Sequence, residues 1–314
     1  MAEKTPTVRD LKGGPARSKR GWLVYAFALA ACLAVAGCNN QPYMSPDRLN
    51  RGLVIVLPGI EGRSGYNEAI CRGLDGGGVS WAIELYDWTS PLGALYNLGA
   101  YDHNRRKASE IGWRISRYHH KYPGRPVVLV GQSGGAAMAV WTSEQLLPGE
   151  SVDGIVLLAA SLSPQYILDF ALENSRRGIV SFHSKRDWVF LGVGTTVYGT
   201  MDGRHTWSAG QVGFDSPAID ESLAAYRKLF QVGWRSEMAE AGFSGGHLTS
   251  GAENFVSRYV APIIVAREAR KGWDEALIES LLDAGGGSED QAQDMPASRP
   301  ATAPAQQAPT NEGD

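Results

Sequence analysis

The sequence predicts an α/β fold with a mostly parallel sheet of about six strands and helices on both faces. Three observations predict it. Short β-branched runs alternate with segments of helical period, and the runs are apolar throughout, as in strands buried on both faces. Gly- and Pro-rich breaks separate them, giving the βαβα order of a parallel sheet.

Leu53-Val54-Ile55-Val56-Leu57 is the first strand, stopped by Pro58-Gly59. A short helix follows over Tyr66 to Leu74. Gly76-Gly77-Gly78 then breaks the chain before a second strand, Ser80 to Tyr86. Asp102 to Tyr122 is helical, because Ala108, Ile111, Ile115 and Tyr118 fall three or four apart, and Pro123-Gly124 ends it. Val127 to Val130 is a third strand, followed by a helix over Ala136 to Leu147. Ile155 to Ala160 and Ile179 to Phe182 are further strands with a helix expected between them, around Gln165 to Arg177. A last strand is expected around Phe230 to Trp234, and a helix from Glu253.

The ends of the chain read differently. Residues 1–37 carry six basic side chains against Glu3 and Asp10, a net charge of +4 that leaves −7 on the rest of a chain of formal charge −3. A basic stretch ending in Ser18-Lys19-Arg20 precedes an uncharged run, Gly21 to Gly37, and then Cys38. That order is a secretory signal. Val35-Ala36-Gly37-Cys38 resembles a bacterial lipobox, which implies cleavage before Cys38 and its lipidation. An uncleaved anchor is the alternative, since 17 residues is near the lower limit for a spanning helix. Either way the expectation is export and attachment to a membrane of the cell envelope, with Asn39 resembling the outer-membrane sorting position. From Ala284 to Asp314 there is no Leu, Ile, Val or aromatic residue, so 284–314 is expected to be a disordered tail. Residues 38–50 read as a linker, leaving 51–283 as one domain.

Composition removes several function classes. With 43% hydrophobic and 20% charged residues, the chain can bury a sizeable core. An acidic mature protein lacks the basic footprint of a nucleic-acid binder. Only Cys71 remains in the soluble part once the signal is removed and Cys38 is acylated, so no intrachain disulfide is expected and Cys71 reads as a small buried residue. No HExxH, Cys/His cluster, EF-hand loop or phosphate loop is present, so neither a metal nor another cofactor is expected.

The most informative residues lie between the third strand and its helix. Gly131-Gln132-Ser133-Gly134-Gly135 fits the G-x-S-x-G nucleophile elbow, in which a strained turn projects the serine hydroxyl beyond the sheet. Side chains larger than hydrogen two positions either side would collide there. The hydroxyl needs a base and the base an orienting carboxylate, in the chain order Ser, Asp, His. Asp187 follows the strand Ile179 to Phe182 directly, ahead of Asp169, Asp202 and Asp215 as the acid. His247, on the Gly245-Gly246 loop after the last strand, is preferred to His205 as the base. His103, His119 and His120 fall on the helix before the elbow, and His183 precedes the acid. Oxyanion donors are expected from the Gly134 amide and from the loop after the first strand, at Ile60 with Gly59 the alternative.

Leu57-Pro58-Gly59, the elbow, Ser184-Lys185-Arg186-Asp187 and Gly246-His247 together resemble the α/β-hydrolase family over about 53–265. The resemblance implies a cofactor-free acyl hydrolase acting on a small-molecule or lipid acyl substrate. Asp87-Trp88-Thr89, Tyr122 to Val127 and Gly199 to Asp202 are also similar to a group of uncharacterised bacterial hydrolase-like proteins, which implies no substrate. Three departures stand out: Pro58-Gly59 replaces the usual His-Gly, Gln132 replaces a common His, and no N-terminal β-hairpin is evident. A non-catalytic lipoprotein keeping the fold as a cell-envelope binding module is the alternative. Trp88, Tyr96, Tyr101, Trp188, Tyr198 and Trp207 lie on two long segments over the expected mouth, Trp88 to Tyr101 and Phe190 to Phe214. They are candidates for an acyl pocket or lid, or for core beneath the loops.

Overall fold

A computed structural model describes residues 42–187, 199–215, 223–266 and 271–287. Six strands form one sheet: β1 Leu53–Leu57, β2 Ala82–Leu85, β3 Val127–Gln132, β4 Gly154–Leu158, β5 Ile179–His183 and β6 Leu229–Gly233. Their order is β2-β1-β3-β4-β5-β6 and every pairing is parallel. No antiparallel hairpin precedes β1 among the described residues.

Alternation along the strands divides the core in two. Val54, Val56, Val128, Val130, Val156 and Phe182 face one layer, which contains α1 (Gly65–Gly76) and the helical stretch 253–265. Leu53, Ile55, Leu57, Leu129, Ile155 and Leu157 face the other, which contains α2 (Tyr101–Lys121) and α3 (Gly134–Glu144). Each such aliphatic side chain, fully buried, contributes roughly 1.5–3 kcal/mol. Helix α3 is buried from Gly134 to Ser143, and its small residues let it lie against the sheet centre. A final helix, α4 (Glu275–Gly286), is capped by Asp274, whose carboxylate accepts from the Leu277 amide.

Several expectations change. Only Asp169–Glu173 is helical in the stretch expected to be a helix around Gln165 to Arg177. Ser175 instead forms an isolated bridge with Val152, and its hydroxyl donates to the Gly178 carbonyl, so a turn leads directly into β5. The expected linker 38–50 contains a turn of helix, Pro46–Leu49, whose Arg48 donates to the Trp81 and Val79 carbonyls and pairs with Asp75. That turn is tied to α2 as well, by Tyr118 Oη donating to the Leu49 carbonyl. Helix α4 runs into the expected tail as far as Gly286, with Ile278 and Leu282 anchoring it in the core. The expected signal 1–37, Cys38 and the rest of the expected tail, 288–314, lie outside the described residues. Among the described residues no helix is long and apolar enough to cross a membrane.

Candidate active site

Parallel strands all present their carboxyl ends on one side, and the candidate residues gather there. Ser133 directly follows β3 with φ of 55° and ψ of −120°, a left-handed conformation rare for a residue with a side chain. Its amide donates to the Leu158 carbonyl and its carbonyl accepts from Ser161, so the pairing of β3 with the segment after β4 holds the turn in place. The glycines explain the rest. A Cβ on Gly131 would strike the Gly135 carbonyl, and one on Gly135 would strike the Leu57 and Pro58 carbonyls. Residues two positions either side of Ser133 must therefore be glycine for α3 to approach β1 and β3 this closely. Ser133 stands at the N-terminus of α3, where the helix dipole favours negative charge.

His247 brings two distant segments together. Its Nε2 lies 2.8 Å from Ser133 Oγ and its Nδ1 lies 2.8 Å from Asp187 Oδ2. All three side chains are buried, at 7% exposure for Ser133, 3% for Asp187 and 9% for His247. Asp187 closes a turn after β5, with its amide donating to the Ser184 carbonyl. Ser184 is fixed in turn by its amide bond to the Gly210 carbonyl. Gly245 has φ of +92°, and a Cβ there would lie 2.9 Å from Ser184 Oγ, so the histidine loop packs directly on the acid loop. Ser250 Oγ donates to the His247 carbonyl from the following helical turn.

The loop after β1 lies over Gly134. The Ile60 backbone nitrogen is 3.4 Å from where a Cβ on Gly134 would stand, and Ile60 Cγ2 is 2.7 Å from it. A Cβ on Gly59 would strike the Glu61 carboxylate and lie 3.0 Å from Gln132 Oε1. Ile60 and Gly134 are thus brought side by side. Two residues that sequence reasoning did not single out for this purpose hold the loop. Trp88 Nε1 donates to the Pro58 carbonyl at 2.8 Å, and Asn97 Nδ2 donates to the Ile60 carbonyl at 2.9 Å. Asn97 is itself fixed, its Oδ1 accepting from the Ser90 amide and its carbonyl from Asn104. An amide between Tyr96 and Leu98 in an otherwise apolar run was the only trace of this in the sequence. Met201 Sδ is the third neighbour of Gly134, 3.4 Å from the same Cβ position.

The other candidates are placed elsewhere. Asp202 accepts from the Ser163 amide, the Ser163 hydroxyl and the Thr200 hydroxyl, a fully used turn carboxylate. Asp215 pairs with Gln165, and Asp169 begins the short helix before β5. His205 is exposed; His103, His119 and His120 lie along α2. Of the aromatics considered for the mouth, Trp88 is core, at 1% exposure, while Tyr96, Tyr101 and Trp207 are exposed. Trp188 and Tyr198 lie outside the described residues. Cys71 is free and buried, and burial pushes its thiol up to about 12, so it remains a neutral thiol. Among the described residues no group of His, Cys, Asp or Glu is arranged to hold a metal.

The strand order, with a strained serine directly after the third strand of the sequence, defines the α/β-hydrolase fold. No family profile and no curated protein matches the chain. Among solved structures it is similar to lipase B from Aspergillus fumigatus, at 10% identity over 76% of this chain with a TM-score of 0.42. The chain spans 62% of the length of that lipase. It is also similar to a cutinase-like protein from Cryptococcus sp., at 15% identity over 71% of this chain and 96% of the other, with a TM-score of 0.37. A third likeness is to esterase B from Lactobacillus rhamnosis, at 13% identity over 88% of this chain and 99% of the other, with a TM-score of 0.36. At these identities and TM-scores the likenesses assign no substrate.

Proposed function

We propose that this protein is a serine hydrolase of esterase or lipase type, working through Ser133, His247 and Asp187. The observation that supports it is the continuous hydrogen-bonded chain from Ser133 Oγ through His247 to Asp187, buried at the carboxyl end of the sheet. Three side chains from segments 54 and 60 residues apart meet with the separations that proton transfer requires. In the proposed reaction, Ser133 Oγ forms a bond to the acyl carbon as its proton passes to His247 Nε2. The Ile60 and Gly134 amides hold the resulting oxyanion. Collapse breaks the bond to the leaving oxygen, which takes the proton back from His247. Water, losing a proton to His247, then bonds to the acyl carbon, and collapse breaks the bond to Ser133 Oγ, which takes that proton back as the acid leaves. Asp187 keeps Nδ1 protonated and stabilises the imidazolium.

The substrate class we assign is a carboxylic ester, with Ile60 and Met201 beside Gly134. We further propose that the domain is exported and held on the cell envelope by lipid on Cys38, on the strength of the signal and lipobox pattern.

A fluorophosphonate probe tests the reaction. Wild-type protein is expected to be labelled on Ser133, Ser133→Ala to lose the label, and His247→Ala to slow it far more than His205→Ala does. An unlabelled wild type beside a labelled control esterase would overturn the enzyme reading in favour of a binding module. Incorporation of labelled palmitate into the N-terminal peptide, lost in Cys38→Ser, tests the tether.

A further inference from the structure

The same parallel order that gathers the candidate site at one end of the sheet gathers charge at the other. Arg51 lies two residues before β1, Arg125 two before β3, Asp153 directly before β4, and Arg176 and Arg177 just before β5. These strands are direct neighbours in the sheet, so their leading residues converge on one surface. Together with Lys271 they line a cavity of about 430 Å³, with Trp81 and Pro126 on its wall. Five cations and one carboxylate meet there, in a chain whose overall charge is −3.

The carboxylate is already engaged. Asp153 Oδ2 accepts from the Val127 amide and Oδ1 takes a long bond from Arg176, at 3.4 Å. Arg51 donates to the Ser80 carbonyl and pairs with Asp47 across exposed surface. Arg177 is buried, donating to the Asp153 and Ile264 carbonyls, with its guanidinium 5.1 Å from the Trp273 ring. Arg125 and Lys271 are exposed at the rim, and neither has an ion pair among the described residues. Asp47 and Asp153 are the carboxylates that stand against these five cations among the described ion pairs, so positive charge is in excess at this surface and attracts an anion. Guanidinium groups in a fork-like array suit the tetrahedral oxygens of phosphate, which two of them can engage bidentately.

We infer that this cavity is a binding site for a phosphate group, as a free phosphate or phosphomonoester or as the headgroup of an anionic phospholipid. It is separate from the candidate active site. Eight residues of extended chain divide Arg125 from Ser133, roughly 25 Å at the rise of a strand. Binding therefore leaves Ser133 open to acyl substrates, and the inference stands or falls independently of the hydrolase reading.

The full chain in nonionic detergent serves for the test, titrated with inorganic phosphate, sn-glycerol 3-phosphate and dihexanoyl phosphatidylglycerol at ionic strength held constant with chloride. The expected result is a saturable rise in Tm, with calorimetric binding whose Kd increases tenfold or more in the Arg125→Gln/Lys271→Gln variant. Those side chains are at the rim, so the variant is expected to keep the wild-type Tm without ligand and the wild-type rate of Ser133 labelling. Arg176→Gln provides a second, independent loss of affinity. Binding of phosphatidylglycerol tenfold or more tighter than of the two soluble phosphates identifies a lipid headgroup, whereas comparable or tighter binding of a soluble phosphate identifies a free ligand. Absence of a saturable response to all three compounds, or an unchanged Kd in both variants, overturns the inference.

Discussion

Asn97 donates from Nδ2 to the Ile60 carbonyl at 2.9 Å, joining a buried side chain after β2 to the loop that overlies Gly134. The bond fixes the peptide that follows the Ile60 amide and hence the direction in which that amide points. Asn97→Ala removes the tie while Trp88 still anchors Pro58, so the loop stays folded but its aim loosens. If the Ile60 amide stabilises the oxyanion, kcat is expected to fall by about 10- to 100-fold, because donor geometry matters most in the transition state. KM is expected to change by less than about threefold. Asn97→Asp, which cannot donate to a carbonyl, should behave like alanine. Steady-state hydrolysis of a chromogenic ester checks this, and an unchanged kcat in both variants would remove Ile60 from the oxyanion hole.

The elbow glycines differ in what surrounds them. A Cβ on Gly135 meets the Leu57 and Pro58 carbonyls, backbone at the end of β1 that cannot move without disturbing the strand. A Cβ on Gly134 crowds Ile60 Cγ2 alone, at 2.7 Å, a side-chain atom able to shift, while the Ile60 amide nitrogen and Met201 Sδ are at contact distance, 3.4 Å. Gly135→Ala is therefore expected to cost at least about 3 kcal/mol of stability, an overpacking that cannot relax. Gly134→Ala should remain folded within about 1.5 kcal/mol yet lose activity as Ile60 is displaced. Denaturant melts beside ester hydrolysis separate the two; equal losses of stability would contradict this account.

Much of this site was legible because its local requirements are severe. A serine in a left-handed turn with backbone packed on both sides leaves a Gly-x-Ser-x-Gly imprint, and a buried acid closing the turn after a strand leaves an Asp a few residues beyond it. The strands were legible for a similar reason, since residues such as Val54 to Leu57 are buried on both faces and must all be apolar. The loops obey weaker rules. Trp88 and Asn97 act through single hydrogen bonds to carbonyls 30 and 37 residues away, and no spacing records such a bond. The stretch from Gln165 to Arg177 has helix-forming residues, but Ser175 bonding to Gly178 and pairing with Val152 overrides local preference after Asp169–Glu173. The basic cavity was invisible for another reason: Arg51, Arg125 and Arg176 are scattered in the chain and meet because the strands they precede run parallel, with Lys271 joining them from before the last helix.

Two aspartates near the sheet's carboxyl end should respond oppositely to the same change. Asp187→Asn keeps the shape but presents an amide to His247 Nδ1, which favours the wrong tautomer. A fall in kcat of about 10⁴-fold with little loss of stability is expected if His247 is the base. Asp202→Asn disturbs a carboxylate accepting from Ser163 and Thr200, and about 1–3 kcal/mol of stability should be lost with kcat of the folded protein within about threefold of wild type. Kinetics below the melting range distinguish these outcomes, and a larger kcat loss in Asp202→Asn would move the acid to that position.

Stability is expected to fall as pH is lowered through the histidine range. Burial holds His183 below the usual histidine value, Lys185 acts in the same direction, and a backbone hydrogen bond with Ser181 opposes them. His119 is lowered too, chiefly by burial and against the influence of Glu150. In the unfolded chain both take up a proton near the ordinary value of about 6.5. Below that pH the unfolded state binds more protons than the folded one, so the stabilisation present above neutrality is lost progressively down to the lowered folded values, and then levels off. Each group can contribute a slope of up to about 1.4 kcal/mol per pH unit within that window. Urea melts at half-unit steps from pH 8 to pH 5 should show a flat region above pH 7 and a decline beneath it. His183→Gln should flatten that decline, since glutamine does not titrate, and an identical slope in wild type and variant would show that His183 is not its source.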